Sequence, residues 1–393
     1  MMKPILYLFL IFIFSSLTLL GQDGYKFSII KELKATPVKD QYRSGTCWSF
    51  SGLSFLESEL IRMGKGEFDL SEMYIVRRAY TQHADKYVRF QGKINFSGGA
   101  EFWDVFNAIK EYGLVPESAY PGLVIGEPKH VHGEMDAVLK AMLDAVIENK
   151  NKKLSPVWKT GFEGLLDAYL GKVPESFTYN NVTYTPQSFF QSLGLKIDDY
   201  VMISSFTHHP YYEKFIMESP DNWSMGEVYN LPLDEMMEVI SHAIAKGYTV
   251  GWAADVSENG FSWSNGIAIV PEKDIEDLTD LERAKWSEMT KEEKDALVYH
   301  QNKPGKEKSI TPELRQKAFD NYQTTDDHGM HIIGTAKDQN GTLYFKVKNS
   351  WGTNGSKYDG YFYASESYVR YKTMSILVHK DALPKATAKK LGF

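Results

Sequence analysis

Gln41-Tyr42-Arg43-Ser44-Gly45-Thr46-Cys47-Trp48-Ser49-Phe50 holds the only cysteine in a chain of 393 residues. From Cys47 to about Met63, Phe50, Leu53, Leu56 or Glu57, Leu60 and Ile61 recur at three- and four-residue spacing. That spacing predicts a helix with one buried face, and Gly64 stops it. A cysteine at a helix N-terminus meets unpaired backbone N–H groups and the positive end of the macrodipole, which favour thiolate over thiol. A lone cysteine is more often a small buried hydrophobe, so its surroundings decide.

Those surroundings lie far downstream. Asp326-Asp327-His328-Gly329-Met330 leads into an apolar run ending at Gly334. Tyr344-Phe345-Lys346-Val347-Lys348-Asn349-Ser350-Trp351-Gly352 then reads as a strand and a sharp turn. Cysteine, histidine and asparagine in that order are the parts of a cysteine-nucleophile triad. With Gln41 six residues before Cys47, Trp48 after it, and Lys-Asn-Ser-Trp-Gly closing the set, the chain resembles the papain-like cysteine peptidases. The long helical stretch between the blocks is similar to the larger branch of that family, the bleomycin hydrolase or aminopeptidase C group.

The resemblance implies an α+β, two-lobed papain-like fold with large helical insertions. The helical lobe would span about 41–245 and the β-rich lobe about 246–380, with a helical insertion about 271–325 and a C-terminal arm over 381–393. It implies Cys47 as nucleophile, His328 as acid–base partner and Asn349 as the acceptor that orients the imidazole. Trp351 would cover that hydrogen bond, and Gln41 would donate to the oxyanion beside the Cys47 N–H. Gly98 and Gly99 would pair with the substrate backbone; the alternative for them is a turn leading into a helix. In such thiolate–imidazolium pairs the thiol pKa can fall to roughly 3–4. Ser44 stands where small secreted papains carry a disulfide cysteine, and Thr46 replaces the usual small residue before the nucleophile.

His331 competes with His328 for the base, but three residues along a strand it points to the opposite face. His130 and His132 could share a strand face, yet no carboxylate or cysteine sits at ligand spacing, so no metal is expected. No cofactor is expected either.

In the bleomycin hydrolase group the C-terminal arm lies in the cleft and its carboxylate holds the substrate's free amino group. The resemblance therefore assigns that carboxylate to Phe393; the alternative is a frayed terminus. Three readings follow for a chain acting on peptides: an aminopeptidase, an endopeptidase of the same fold, or a silent binding module. The last would have lost Cys47, His328 or Gln41, and all are present. The group also implies a homo-oligomer, a hexamer.

Composition sets outer limits. A formal net charge of −7 with no basic tract gives nucleic-acid binding no support. Lys3 followed by the apolar run Ile5 to Leu20, broken only by Ser15, Ser16 and Thr18, reads as an export signal over residues 1–21. Left uncleaved, it would be a membrane anchor.

Along the chain, Ser71 is a candidate N-cap for a helix through Met73, Tyr74 and Val76. Residues 80–96 read as irregular and Glu134 to Leu170 as helical. Leu233 to Ile244 is an amphipathic helix closed by Gly247, and Thr311-Pro312 starts another. Tyr248 to Val256 and Gly266 to Val270 read as strands. From Glu272 to Asp295 ten acidic and five basic residues suggest a solvated helical excursion.

Overall fold

The computed structural model describes residues 24–272, 284–285, 287–290 and 302–393. The export segment and most of the charged stretch between 272 and 302 lie outside the described residues.

Helix α1 (Cys47–Arg62) is the centre of the molecule. It is buried all round from Trp48 to Leu60, not on one face as its apolar spacing predicts. Most of its buried polar side chains find partners, the Ser58 hydroxyl being the exception. Glu57 accepts from the backbone N–H of Leu70 (2.9 Å) and from Thr36 Oγ1 (2.5 Å). Arg62 donates to Glu59 at 2.9 and 2.7 Å. Two layers enclose α1, helices on one side and a sheet on the other.

The helices come first. Ser71 caps α2 (Glu72–Arg89) by accepting from the Tyr74 N–H, so the expected irregular stretch is helical up to Arg89. Helix α3 (Phe102–Tyr112) follows the glycine pair. The expected single helix over 134–170 is two, α4 (Gly133–Ile147) and α5 (Val157–Leu170), parted around Ser155-Pro156. The hairpin β2 (Phe177–Tyr179) and β3 (Val182–Tyr184) and helix α6 (Pro186–Leu193) close this layer.

The sheet then begins earlier than the lobe boundary near residue 246 implies. Strands β4 (Tyr200–Ser204), β5 (Lys214–Ile216) and β6 (Glu227–Asn230) already belong to it. Helix α7 (Leu233–Lys246), ended by Gly247, shares one buried cluster with Val201 and Ile203 of β4, Trp252 and Ile332. Strands β7 (Val250–Ala254), β8 (Phe261–Ser262), β9 (Ile267–Ala268), β10 (His328–Lys337), β11 (Leu343–Lys348), β12 (Tyr361–Ser365) and β13 (Thr373–His379) complete the order β5-β6-β4-β13-β7-β10-β11-β12-β9-β8. Along one edge β10 pairs β7 through His328–Ile332 and then the N-terminal strand β1 (Ser28–Glu32) through Gly334–Lys337. Helices α8 (Pro312–Asp320, capped by Thr311) and α9 (Glu366–Lys372) flank the sheet.

The tail is not a loose arm. Residues Lys385–Leu391 form α10, and Leu383 and Leu391 join the α7 cluster. Lys390 pairs with Glu235 of α7 at 2.7 Å.

Candidate active site

The fold brings two chain segments to one point. Cys47 opens α1, and His328 opens β10, which packs directly on that helix. Gly329 permits the approach: a Cβ there would meet the Ser51 hydroxyl at 2.8 Å and the Trp48 Cα at 3.3 Å. Cys47, His328 and Gln41 line one cavity of about 280 Å³ with Gly98, Gly99 and Trp48.

The hydrogen bonds fix which atom does what. Asn349 Oδ1 accepts the Ser350 backbone N–H at 2.8 Å, so it is the oxygen of the amide. His328 Nε2 lies 2.6 Å from that same Oδ1 and must therefore be the protonated nitrogen. The other ring nitrogen, Nδ1, is left free to exchange a proton with Cys47 Sγ. The Trp351 ring stands 4.6 Å from the imidazole, centre to centre, and packs on Trp263 at 5.3 Å. It walls the His328–Asn349 bond from water.

Gln41 is oriented in the same way. It is buried, and its Oε1 accepts from the Ser350 hydroxyl at 2.6 Å. That leaves its Nε2 as the donor for an oxyanion near the start of α1.

Burial works against either charge alone. It pushes the Cys47 thiol up to about 12, with Asp326 and Asp221 adding to the effect. Burial likewise pulls His328 down to about 4, against the hydrogen bond it donates to Asn349. Moving the proton from Sγ to the imidazole makes both charges at once, and each then stabilises the other. The backbone amides of Gly329 and Trp48 also favour the thiolate.

The glycine pair divides its labour. The Gly98 carbonyl accepts from Trp48 Nε1 at 2.9 Å and is part of the scaffold. At Gly99 a Cβ would meet Asp221 Oδ2 at 1.9 Å, so only glycine lets this carboxylate lie against the backbone. Asn95 Nδ2 holds Asp221 Oδ1 at 2.7 Å.

Asp221, Glu101 and Asp326 are the residues that sequence reasoning missed. All three line the cavity. Glu101 and Asp326 share the hydroxyl of Ser219, at 3.0 and 2.6 Å. Burial, then Asp326, raises the carboxyls of both Glu101 and Asp221 above their usual range. Asp326 stands two residues before His328 and was in view in the sequence; nothing about Asp221 marks it, because the contact with Gly99 spans 122 residues of chain.

Phe393, expected in the cleft, is placed away from the cavity lining. Its ring packs 5.6 Å from Tyr229 of β6. The physical reason is helix α10, whose apolar side chains are held by the α7 core. His331 is also apart: its Nδ1 lies 3.0 Å from Ser54 Oγ beneath α1. His130 and His132 stack edge-on at 5.8 Å.

A family model described as "Papain family cysteine protease" matches residues 26–153, and one described as "Peptidase C1-like family" matches residues 309–392. The chain is 24% identical to aminopeptidase C of Streptococcus thermophilus, over 92% of this chain and 84% of that protein. It is 24% identical to aminopeptidase C of Lactococcus lactis subsp. cremoris, over 90% and 82% respectively. The crystal structure of PepW from Lactobacillus rhamnosis HN001 superposes with a TM-score of 0.69 at 20% identity, covering 93% of this chain and 84% of that one. That likeness gives the fold.

Proposed function

We propose that this chain, a papain-like cysteine peptidase of the aminopeptidase C group, removes residues from the free amino ends of peptides. The observation that carries the reading is the carboxylate wall of the cavity that Cys47 and His328 share. An amino terminus is a cation at neutral pH, and Asp221 Oδ2 lies over Gly99, where the substrate backbone beyond the first residue would run. A protonated α-amine is held there by charge-assisted hydrogen bonds, while a blocked or longer chain meets the carboxylate with nothing to offer it.

The chemistry follows from the atoms in place. Cys47 Sγ gives its proton to His328 Nδ1 and attacks the carbonyl carbon. The oxyanion takes hydrogen bonds from Gln41 Nε2 and the Cys47 N–H. His328 then protonates the leaving amine as the C–N bond breaks, giving an acyl-enzyme. Water, deprotonated by the same imidazole, releases the amino acid. The bound ammonium has a second effect: it offsets the charge of Asp221 and Asp326 that disfavours the thiolate. A free amino end would thus raise the reactivity of Cys47 as well as its own affinity.

One observation favours the endopeptidase reading. Phe393, which would close the cleft in the related group, packs on Tyr229 instead, and a cleft free of it accepts longer chains. Cleavage of a free-amino aminoacyl fluorogenic substrate and of its N-acetylated twin separates the two, with Cys47→Ala as control. Loss of all cleavage in that variant is expected; retained cleavage would remove Cys47 from the mechanism.

Export is proposed on the run Ile5 to Leu20 after Lys3, and N-terminal sequencing of the mature chain tests it. A hexamer is proposed on the family resemblance alone, and light scattering on the purified enzyme tests that.

A further inference from the structure

A second group of ligating side chains lies outside the cleft, on the loop that follows β4. His208 Nε2 stands 2.9 Å from Glu218 Oε2. One ligand atom from each of His208, His209 and Glu218 lies within 4.8 Å of the others. Sequence spacing does not announce this group, because the glutamate arrives on a different segment, the turn after β5.

The tautomer of His208 is set from its far side. Gln316 Oε1 accepts the Thr207 backbone N–H at 2.7 Å, and Gln316 Nε2 donates to Asp320 Oδ1 at 2.8 Å, so the amide is fixed with its oxygen toward the loop. His208 Nδ1 lies 3.1 Å from that oxygen and is therefore protonated. Its Nε2 lone pair then faces a carboxylate oxygen, and two acceptors at that distance need a proton or a cation between them.

His209 decides between the two. Its Nε2 is cut off from solvent and has no hydrogen-bond partner among the described residues. A proton on His208 leaves that nitrogen unsatisfied, at the usual cost of an orphaned buried polar atom. A metal ion bound by all three groups satisfies it. A ligating histidine whose other N–H is held by a carbonyl oxygen, as Gln316 holds His208, is also the usual outer arrangement of a metal site. Phe215 stacks on the His209 ring at 4.4 Å and Phe319 on the His208 ring at 5.8 Å, which limits ring rotation.

We propose that His208 Nε2, His209 Nε2 and Glu218 form a binding site for a divalent ion of the zinc class, with water as the fourth ligand. Two imidazoles and one carboxylate suit zinc, whereas magnesium and calcium prefer oxygen donors. Glu218 is exposed enough to leave the water position open. The ion would tie the 206–210 loop to the segment beginning at Glu218. The next residue, Ser219, carries the hydroxyl that bridges Glu101 and Asp326, and Asp221 follows. The site is therefore separate from the nucleophile but anchors the wall that faces it.

Calorimetric titration of the Cys47→Ala chain, stripped of metal by chelator, tests the proposal; that background removes the thiol as a competing ligand. With zinc chloride one equivalent per chain is expected, with a Kd of about 1 μM or tighter, and magnesium chloride gives no heat. Glu218→Gln, a surface change that spares the fold, and Gln316→Ala, which loses the outer hydrogen bond, should each weaken zinc by about tenfold or more. No zinc uptake at ~100 μM would overturn the proposal. So would uptake left unchanged by both Glu218→Gln and His208→Ala.

Discussion

The hydroxyl of Ser350 donates to Gln41 Oε1 at 2.6 Å, across 309 residues of chain. The Ser350 backbone N–H meanwhile holds Asn349 Oδ1 at 2.8 Å. One residue thus orients both the oxyanion donor and the histidine's partner. Ser350→Ala frees the Gln41 amide to rotate and should lower kcat by about tenfold, with KM little changed because the oxyanion contact exists only in the transition state. Gln41→Ala, which removes the donor itself, should cost about two to three powers of ten in kcat. Steady-state kinetics on a free-amino substrate checks both, and a larger loss in Ser350→Ala than in Gln41→Ala would contradict the assignment.

His328→Ala should strand the thiol. Burial pushes Cys47 up to about 12 despite the backbone amides of Gly329 and Trp48, and proton transfer to the imidazole offsets that. Thiolate is the reactive form and its fraction rises with pH. The wild type should therefore react with iodoacetamide near neutral pH. His328→Ala should be unreactive there and gain about tenfold per pH unit on the way to the thiol's own pKa. Equal alkylation of the two at pH 7 would break the link between Cys47 and His328.

Gly99→Ala tests the close approach of Asp221. The new Cβ would meet Oδ2 at 1.9 Å, so the carboxylate must move away from the backbone. We expect kcat/KM for free-amino substrates to fall by about tenfold or more, the scale of one charge-assisted hydrogen bond. Unfolding by urea should shift little, since Asp221 is half-buried at the cavity edge.

The tail supports the fold and does not reach the cleft. Deleting Gly392 and Phe393 should leave the preference between free and blocked amines as it was. Leu391→Ala, in the α7 cluster, should destabilise the chain by about 2 kcal/mol or more. A change in amine preference on deletion would return the terminal carboxylate to the site.

Local signals in the sequence carried far. Cys47 opens a helix as its apolar spacing predicts, Ser71 and Thr311 cap theirs, and Gly247 ends α7. Gln41, Cys47, His328 and Asn349 meet because their motifs name them. The losses have one physical cause: they depend on distant packing. The burial of α1 on all sides follows from two layers that its own residues do not encode. The short helix α10 forms because Leu383 and Leu391 find the α7 core, whereas propensity over seven residues is too weak to fix it. The sheet takes in β4, β6 and β1 through pairings far apart in the chain. The carboxylate wall joins residues 101, 221 and 326, which no spacing rule connects.

The most direct test is the ratio of kcat/KM for a free-amino aminoacyl substrate over its N-acetylated twin, in the wild type and in Asp221→Asn. The account predicts a strong preference for the free amine in the wild type, reduced by about tenfold or more in Asp221→Asn, with the acetylated twin hardly affected. Equal cleavage of both substrates by the wild type, or a ratio untouched by the substitution, would contradict it.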